Sequence, residues 1–237
     1  MSVLAGLTTN DEVQEVKDSV GGNFSAVESG LYKTIIKSAY VDVVTSGAVA
    51  IRLEVESDNG DTIRQALWVQ SNTQKGGKNY FVDKKGNKQY LPGFNQANAL
   101  CLLTAGKAIS EMATEEKIID IYDFASKSQV PTKVDMLVEL LGQPIVVGII
   151  KQTVNKNIKD EATGKYVATN ETRTENEVDK FFRAKDNLTV TEIKAGMVEA
   201  VFITKWHEKN TGVTRDKTKK VTASANKPAP EQAALFA

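Results

Sequence analysis

Between Lys75 and Tyr90 the sequence sets five lysines, Lys75, Lys78, Lys84, Lys85 and Lys88, against one aspartate, Asp83, and interleaves them with Tyr80, Phe81 and Tyr90. Cations follow a phosphodiester backbone and aromatic rings stack on unpaired bases, at about 1 to 3 kcal/mol per base, so this mixture can hold single-stranded nucleic acid. The same residues also fit a solvated β-hairpin whose Tyr80 and Phe81 pack on a core while the lysines keep an edge soluble. A second basic group, Lys151, Lys156, Lys159 and Lys165, runs up to Tyr166. Earlier come Lys33, Lys37, Arg52, Arg64 and Trp68. Under strict alternation Lys33 and Lys37 share a strand face, as do Arg64 and Trp68, which suits a groove floor, although a strand tryptophan is more often core than platform. Near the C-terminus Lys205, Lys209, Arg215, Lys217, Lys219 and Lys220 outnumber Glu208 and Asp216, as in a flexible basic arm that adds nonspecific phosphate affinity.

Other chemistries find little footing. Gly106-Lys107 lacks the upstream glycine and following hydroxyl of a phosphate loop, and no Gly-x-Gly-x-x-Gly or Gly-x-Ser-x-Gly occurs. The single cysteine, Cys101, and single histidine, His207, rule out an internal disulfide framework and leave too little for a Cys/His zinc site. Carboxylates cluster at Glu111, Glu115, Glu116, Asp120 and Asp123, and again at Glu171, Glu175, Glu177 and Asp179. A hard metal ion would suit either in a nuclease, but the spacing is no ligand code, and Lys117, Arg173 and Lys180 beside them mark solvated surface. The expectation is a noncatalytic protein without cofactor or metal.

The elements that must position these residues follow from periodicity. Thr9 to Glu12 reads as a capping box that opens a short helix through Val13, Val16 and Val20, stopped at Gly21-Gly22. Leu31 to Val44, Val49 to Glu56 and Thr62 to Val69 read as a meander, with Asp58 to Asp61 as a turn. Ser71 to Tyr90 reads as a long exposed hairpin or loop with a short strand at Tyr80 to Val82. Asn95 is predicted to cap a helix carrying Ala97, Leu100, Cys101 and Thr104, ending at Gly106. Ile118 to Phe124 alternates like a strand, and Val134, Leu137, Val138 and Leu141 recur at helical spacing before Gly142 and Pro144. Ile145 to Val154 reads as a strand buried on both faces, with Lys165 to Ala168 pairing back as a hairpin. Val198, Val201, Phe202 and Trp206 mark a last helix, stopped at Asn210 to Gly212. Thr214 to Ala237 reads as a disordered tail. A mainly β fold with added helices results, an OB-like five-stranded barrel with inserted helices and long hairpin loops.

The 237 residues carry 30 Lys+Arg and 30 Asp+Glu, a formal net charge of zero, so affinity for a polyanion requires locally concentrated charge. Without an 18-residue apolar span or a basic, apolar N-terminal leader, the expectation is a soluble, cytoplasmic protein that does not engage a membrane.

Four segments, Gly30 to Tyr40, Leu91 to Phe94, Val147 to Lys156 and Asn176 to Phe182, give the chain an overall pattern that resembles the bacteriophage single-stranded DNA-binding proteins of replication and recombination. The resemblance implies an OB-fold core, sequence-tolerant binding of single strands, no catalysis, and protection of exposed strands in the host cytoplasm. Many such proteins end in an acidic tail with a terminal aromatic that recruits replication partners. Here Ala223 to Ala237 holds only Lys227 and Glu231 as charges, and Leu235 and Phe236 are what remains of a partner-binding anchor. The expected organisation is a lead-in helix over 1–29, the nucleic-acid-binding domain over 30–212 and the tail over 213–237. Two other functions compete: a structural or protein-interaction module whose short amphipathic helices dock a partner, and a metal-dependent nuclease using Glu111 to Asp123.

Overall fold

β-Branched and aromatic residues dominate Leu31 to Val69, and in the computed structural model, which describes residues 26–123, 126–160, 164 and 166–221, they form three antiparallel strands. These are β1 (Gly30–Val43), β2 (Val49–Ser57) and β3 (Thr62–Gln70). A small separate hairpin follows, β4 (Tyr80–Val82) with β5 (Lys88–Tyr90), and then helix α1 (Pro92–Thr104). β6 (Glu115–Asp123) and β7 (Ser128–Met136) form a ribbon, and β8 (Pro144–Lys159) and β9 (Tyr166–Arg183) a longer one. Two short helices, α2 (Val190–Lys194) and α3 (Phe202–Asn210), precede a final strand, β10 (Thr214–Asp216). The protein is mainly β with few helices, built on one large sheet that is antiparallel except where β10 runs parallel to β8.

The backbone ladder runs β3-β2-β1-β8-β9. β7 takes the edge of β1 above β8, pairing at Tyr40 and Val41, and carries β6 outward. Among the described residues no ladder joins β3 to β9. Side chains bridge them instead: the Val178 N–H donates to Gln65 Oε1 at 3.1 Å, and the Val178 carbonyl accepts from Gln96 Nε2 of α1 at 2.7 Å. A buried backbone edge thereby keeps its hydrogen bonds without a neighbouring strand.

Alternation places Ile36, Ile51, Leu53, Val55, Ile63 and Leu67 on the inner face, where Ala97, Leu100 and Cys101 of α1 meet them. Ile145 to Ile150 of β8 is buried on both faces. The second face is covered by Trp206 of α3, which packs with Val146, Ile150 and Phe182. Gly148 permits that approach, since a Cβ there would lie 2.9 Å from Trp206 Cζ2. The indole N–H donates to Asp179 Oδ2 at 2.7 Å, so the ring is buried with its polar atom satisfied.

Several sequence expectations need correction. Val134 to Leu141 is not a helix: β7 continues to Met136, and a single 3-10 turn spans Val138–Leu140. Its buried leucines imitate helical spacing because Leu137 and Leu140 both face the main core across that turn. α1 begins at Pro92, whose fixed φ suits the first turn, so Asn95 lies within the helix instead of capping it. α3 begins at Phe202 and leaves Val198 outside, 90% exposed. The tail expected from Thr214 instead starts as β10, with Thr214, Arg215 and Asp216 opposite Lys151, Gln152 and Thr153. Helix α2 went unpredicted although Thr189-Val190-Thr191-Glu192 is a capping box. The predicted helix at Thr9 to Val20 lies outside the described residues.

Candidate nucleic-acid interface

The β4–β5 hairpin rises from the end of β3 and is tied to it at its root, where Ser71 N–H donates to the Lys78 carbonyl at 2.8 Å and Leu91 N–H to the Asn79 carbonyl at 2.9 Å. Its lone acid, Asp83, is committed to the turn. Oδ1 accepts from the backbone N–H groups of Lys85 and Asn87 at 2.8 and 2.9 Å, and Oδ2 accepts from Gln89 Nε2 at 2.8 Å. These bonds, the Asn87 N–H first among them, hold the Asp83 carboxyl below its ordinary range. None of Lys75, Lys78, Lys84, Lys85 and Lys88 has a carboxylate partner among the described residues. Two of them lie over an aromatic ring: Lys78 Nζ is 5.7 Å and Lys88 Nζ 5.3 Å from the Tyr80 centroid.

The hairpin aromatics divide between its faces. Tyr80 pairs in register with Tyr90, and Tyr90 stacks on Phe94 of α1 with centroids 4.9 Å apart. Phe81 pairs with Gln89, on the opposite face by the strand's period of two. Phe81 and Tyr90 are 43% and 56% exposed, which removes them from the core and leaves the platform role open to them.

The outer face of β1–β2–β3 is differently provisioned. Lys37 lies 3.4 Å from Glu56, Arg64 2.6 Å from Glu54, and Arg52 2.7 Å from Asp42. Arg52 also stands over the Trp68 ring, 5.9 Å from its centroid. Trp68 is 42% exposed, and Tyr40, opposite Arg52 in register, adds a ring that the sequence reading overlooked. Lys33 has no carboxylate partner among the described residues. The face therefore offers an aromatic floor with mostly neutralised cations.

The other basic groups lie elsewhere. β8 pairs with β1 only from Pro144 to Ile149, then runs past Gly30, so Lys156, Lys159 and Tyr166 sit on a ribbon leaving the sheet at the end away from the β4–β5 hairpin. At 3.3 Å per residue the stretch from Ile150 to Lys159 extends about 30 Å. The two basic stretches flank the sheet instead of meeting. Lys151 pairs with Glu28, and Lys156 with Glu171 at 3.1 Å, whereas Tyr166 is 72% exposed. The expected flexible arm is partly docked: Lys217 Nζ lies 2.6 Å from Glu177, and Arg215 3.9 Å from both Glu177 and Asp179. Lys165, Leu235 and Phe236 lie outside the described residues.

Among the described residues no three His, Cys, Asp or Glu side chains are grouped to hold a metal ion, and no helix is long and apolar enough to cross a membrane. Glu115 and Glu116 of the first carboxylate cluster instead pair with Lys117 and Lys133. His207 Nδ1 shares a 2.8 Å hydrogen bond with Thr211 Oγ1 at the exposed C-terminal end of α3. No protein-family model matches the chain, and no curated protein does either.

Proposed function

We propose that the protein is a noncatalytic, sequence-tolerant single-stranded DNA-binding protein that coats exposed strands during replication or recombination. The observation that carries this reading is the β4–β5 hairpin: five lysines without carboxylate partners among the described residues, set around exposed rings, with the only acid spent on the turn. Unpaired cations gain most from a phosphate, because no existing ion pair must be broken first.

The fold reading that accompanies it is an OB-like barrel. The order β3-β2-β1-β8-β9, the side-chain bridge from Gln65 to Val178 and the helix between β3 and the later strands support that reading. In such a barrel the second and third strands and the loops at either end form the oligonucleotide surface. On that reading the surface would hold Arg52, Arg64 and Trp68, flanked by the β4–β5 hairpin at one end and the β8–β9 ribbon at the other.

Titration with oligo(dT), followed by tryptophan fluorescence at several salt concentrations, tests the proposal. Quenching and an affinity that falls as salt rises are expected. Absence of binding at low salt overturns it, and cleavage of labelled strands with added magnesium or manganese would replace it with the nuclease reading.

A further inference from the structure

Beside Phe81 the hairpin root borders an open hollow of about 290 Å³, walled by Tyr80, Val82 and Leu91, with Ser71, Lys75 and Lys78 also lining it. We infer that this hollow receives one unpaired nucleobase, splayed out of the strand, while Lys75 and Lys78 hold its flanking phosphates. The inference rests on the single-strand reading above and specifies where that strand is gripped.

Three observations converge here. The walls are apolar and aromatic, and Phe81, 43% exposed, has no ring packed on it among the described residues. A ring face left in water beside apolar walls is what a base can stack on. The cations are unpaired among the described residues, so the charge complementarity is toward an anion that comes with the base. The hollow's walls are also held in place. Ser71 is bonded through its backbone to Lys78, and its Oγ accepts the Lys78 N–H at 3.0 Å. Asn72 Oδ1 accepts the Lys75 N–H at 3.0 Å, and the turn closes at Gly76 with φ 82°. The Lys75 and Lys78 backbones are thus fixed while neither ammonium group is held by a carboxylate among the described residues, the preorganisation that lowers the cost of gripping a flexible strand. The alternative anchors already carry cations: Arg52 lies across the Trp68 ring, and Lys78 and Lys88 lie over Tyr80 in the hollow itself, so a base there must displace or share them.

The test uses the whole chain and short oligo(dT) strands carrying one photoreactive 4-thiothymine. After irradiation, peptide mapping is expected to place the adduct on the peptide containing Phe81. Replacing the thymine at the crosslinking position by an abasic residue should then weaken binding by wild type about 5- to 150-fold, the loss of one stacked base. The same abasic substitution should change little in Phe81→Ala, whose thermal midpoint stays near wild type because the residue belongs to neither hydrophobic core cluster. Strands that bind yet crosslink only at Trp68 or Tyr40, or an abasic penalty undiminished in Phe81→Ala, overturn the base pocket and leave the single-strand reading standing. No binding by any strand overturns both.

Discussion

Replacing Lys84 and Lys85 by glutamine tests whether unpaired cations, and not cations as such, govern affinity. If all five hairpin lysines contact phosphates, the logarithm of the binding constant falls against the logarithm of salt with a slope of about 3.5, at about 0.7 per contact on a single strand. Raising salt fourfold then weakens wild type roughly 100-fold, whereas the double variant, with three contacts and a slope of about 2.1, loses roughly 20-fold. The control removes an equal charge from the sheet: Lys37→Gln with Arg64→Gln deletes two cations that already face Glu56 and Glu54 at 3.4 and 2.6 Å. Those groups release few counterions on binding, so the control slope should stay close to wild type. Fluorescence titration of oligo(dT) at four or more salt concentrations gives each slope, and circular dichroism checks that the variants fold. Equal slope losses in the two variants refute the reasoning, because carboxylate pairing would then not distinguish one lysine from another.

Gly93→Ala should destabilise the fold, because its Cβ would lie 2.4 and 2.5 Å from the Trp68 backbone N and O, which cannot rotate away. Overpacking at the upper end of its usual range costs about 3 kcal/mol and lowers the thermal midpoint by roughly 6 to 12 °C, which calorimetry reads. Glu192 is buried, which raises its pKa, yet the N–H groups of Thr189, Phe202 and Val201 and the Thr189 hydroxyl together hold it below the ordinary 4.5. Its charged form therefore stabilises the protein above that value and ceases to as pH falls through the lowered one. The stability gap between wild type and Glu192→Gln should be full well above pH 4.5 and narrow as pH falls below it in denaturant titrations. Cys101 is buried and its thiol pushed up to about 12, so it should resist a disulfide reagent at pH 8 until the protein unfolds; rapid labelling of native protein would contradict its burial.

The meander and the exposed hairpin were legible in the sequence because period-two alternation and Asn/Asp/Gly turns are local signals. Asp58-Asn59-Gly60-Asp61 and Lys85-Gly86-Asn87 mark the turns where the chain reverses. What escaped reading depends on distant partners. Thr214 to Asp216 has no strand signature of its own and becomes β10 because β8 outruns β1 and leaves an open edge beside Lys151 to Thr153. Ion pairing was equally hidden. Arg64 and Lys85 look alike in sequence, and only the register that sets Arg64 opposite Glu54 separates them. The candidate residues were thus visible by type, and their division into neutralised and available cations was not.

Under the proposed function, that division would let a chain of zero net charge present a cationic grip. Carboxylates are distributed along the strands that neighbour the sheet cations: Asp42 faces Arg52, Glu54 faces Arg64, Glu56 faces Lys37, and Glu177 holds Lys217. Each exposed pair adds little stability, about 0 to 1 kcal/mol, so stability alone is a weak account of the pattern. Its larger effect is electrostatic. Paired cations project little field beyond a Debye length of about 8 Å at physiological salt, so beside the neutralised sheet face the unpaired hairpin lysines set the potential in their own surroundings. On the proposed function a single strand would be gripped at the hairpin end of the sheet, where Phe81 and Tyr90 are exposed. Under the proposed function, neutralisation of the sheet cations beside a hairpin that escapes it would let a balanced composition present a positioned binding surface.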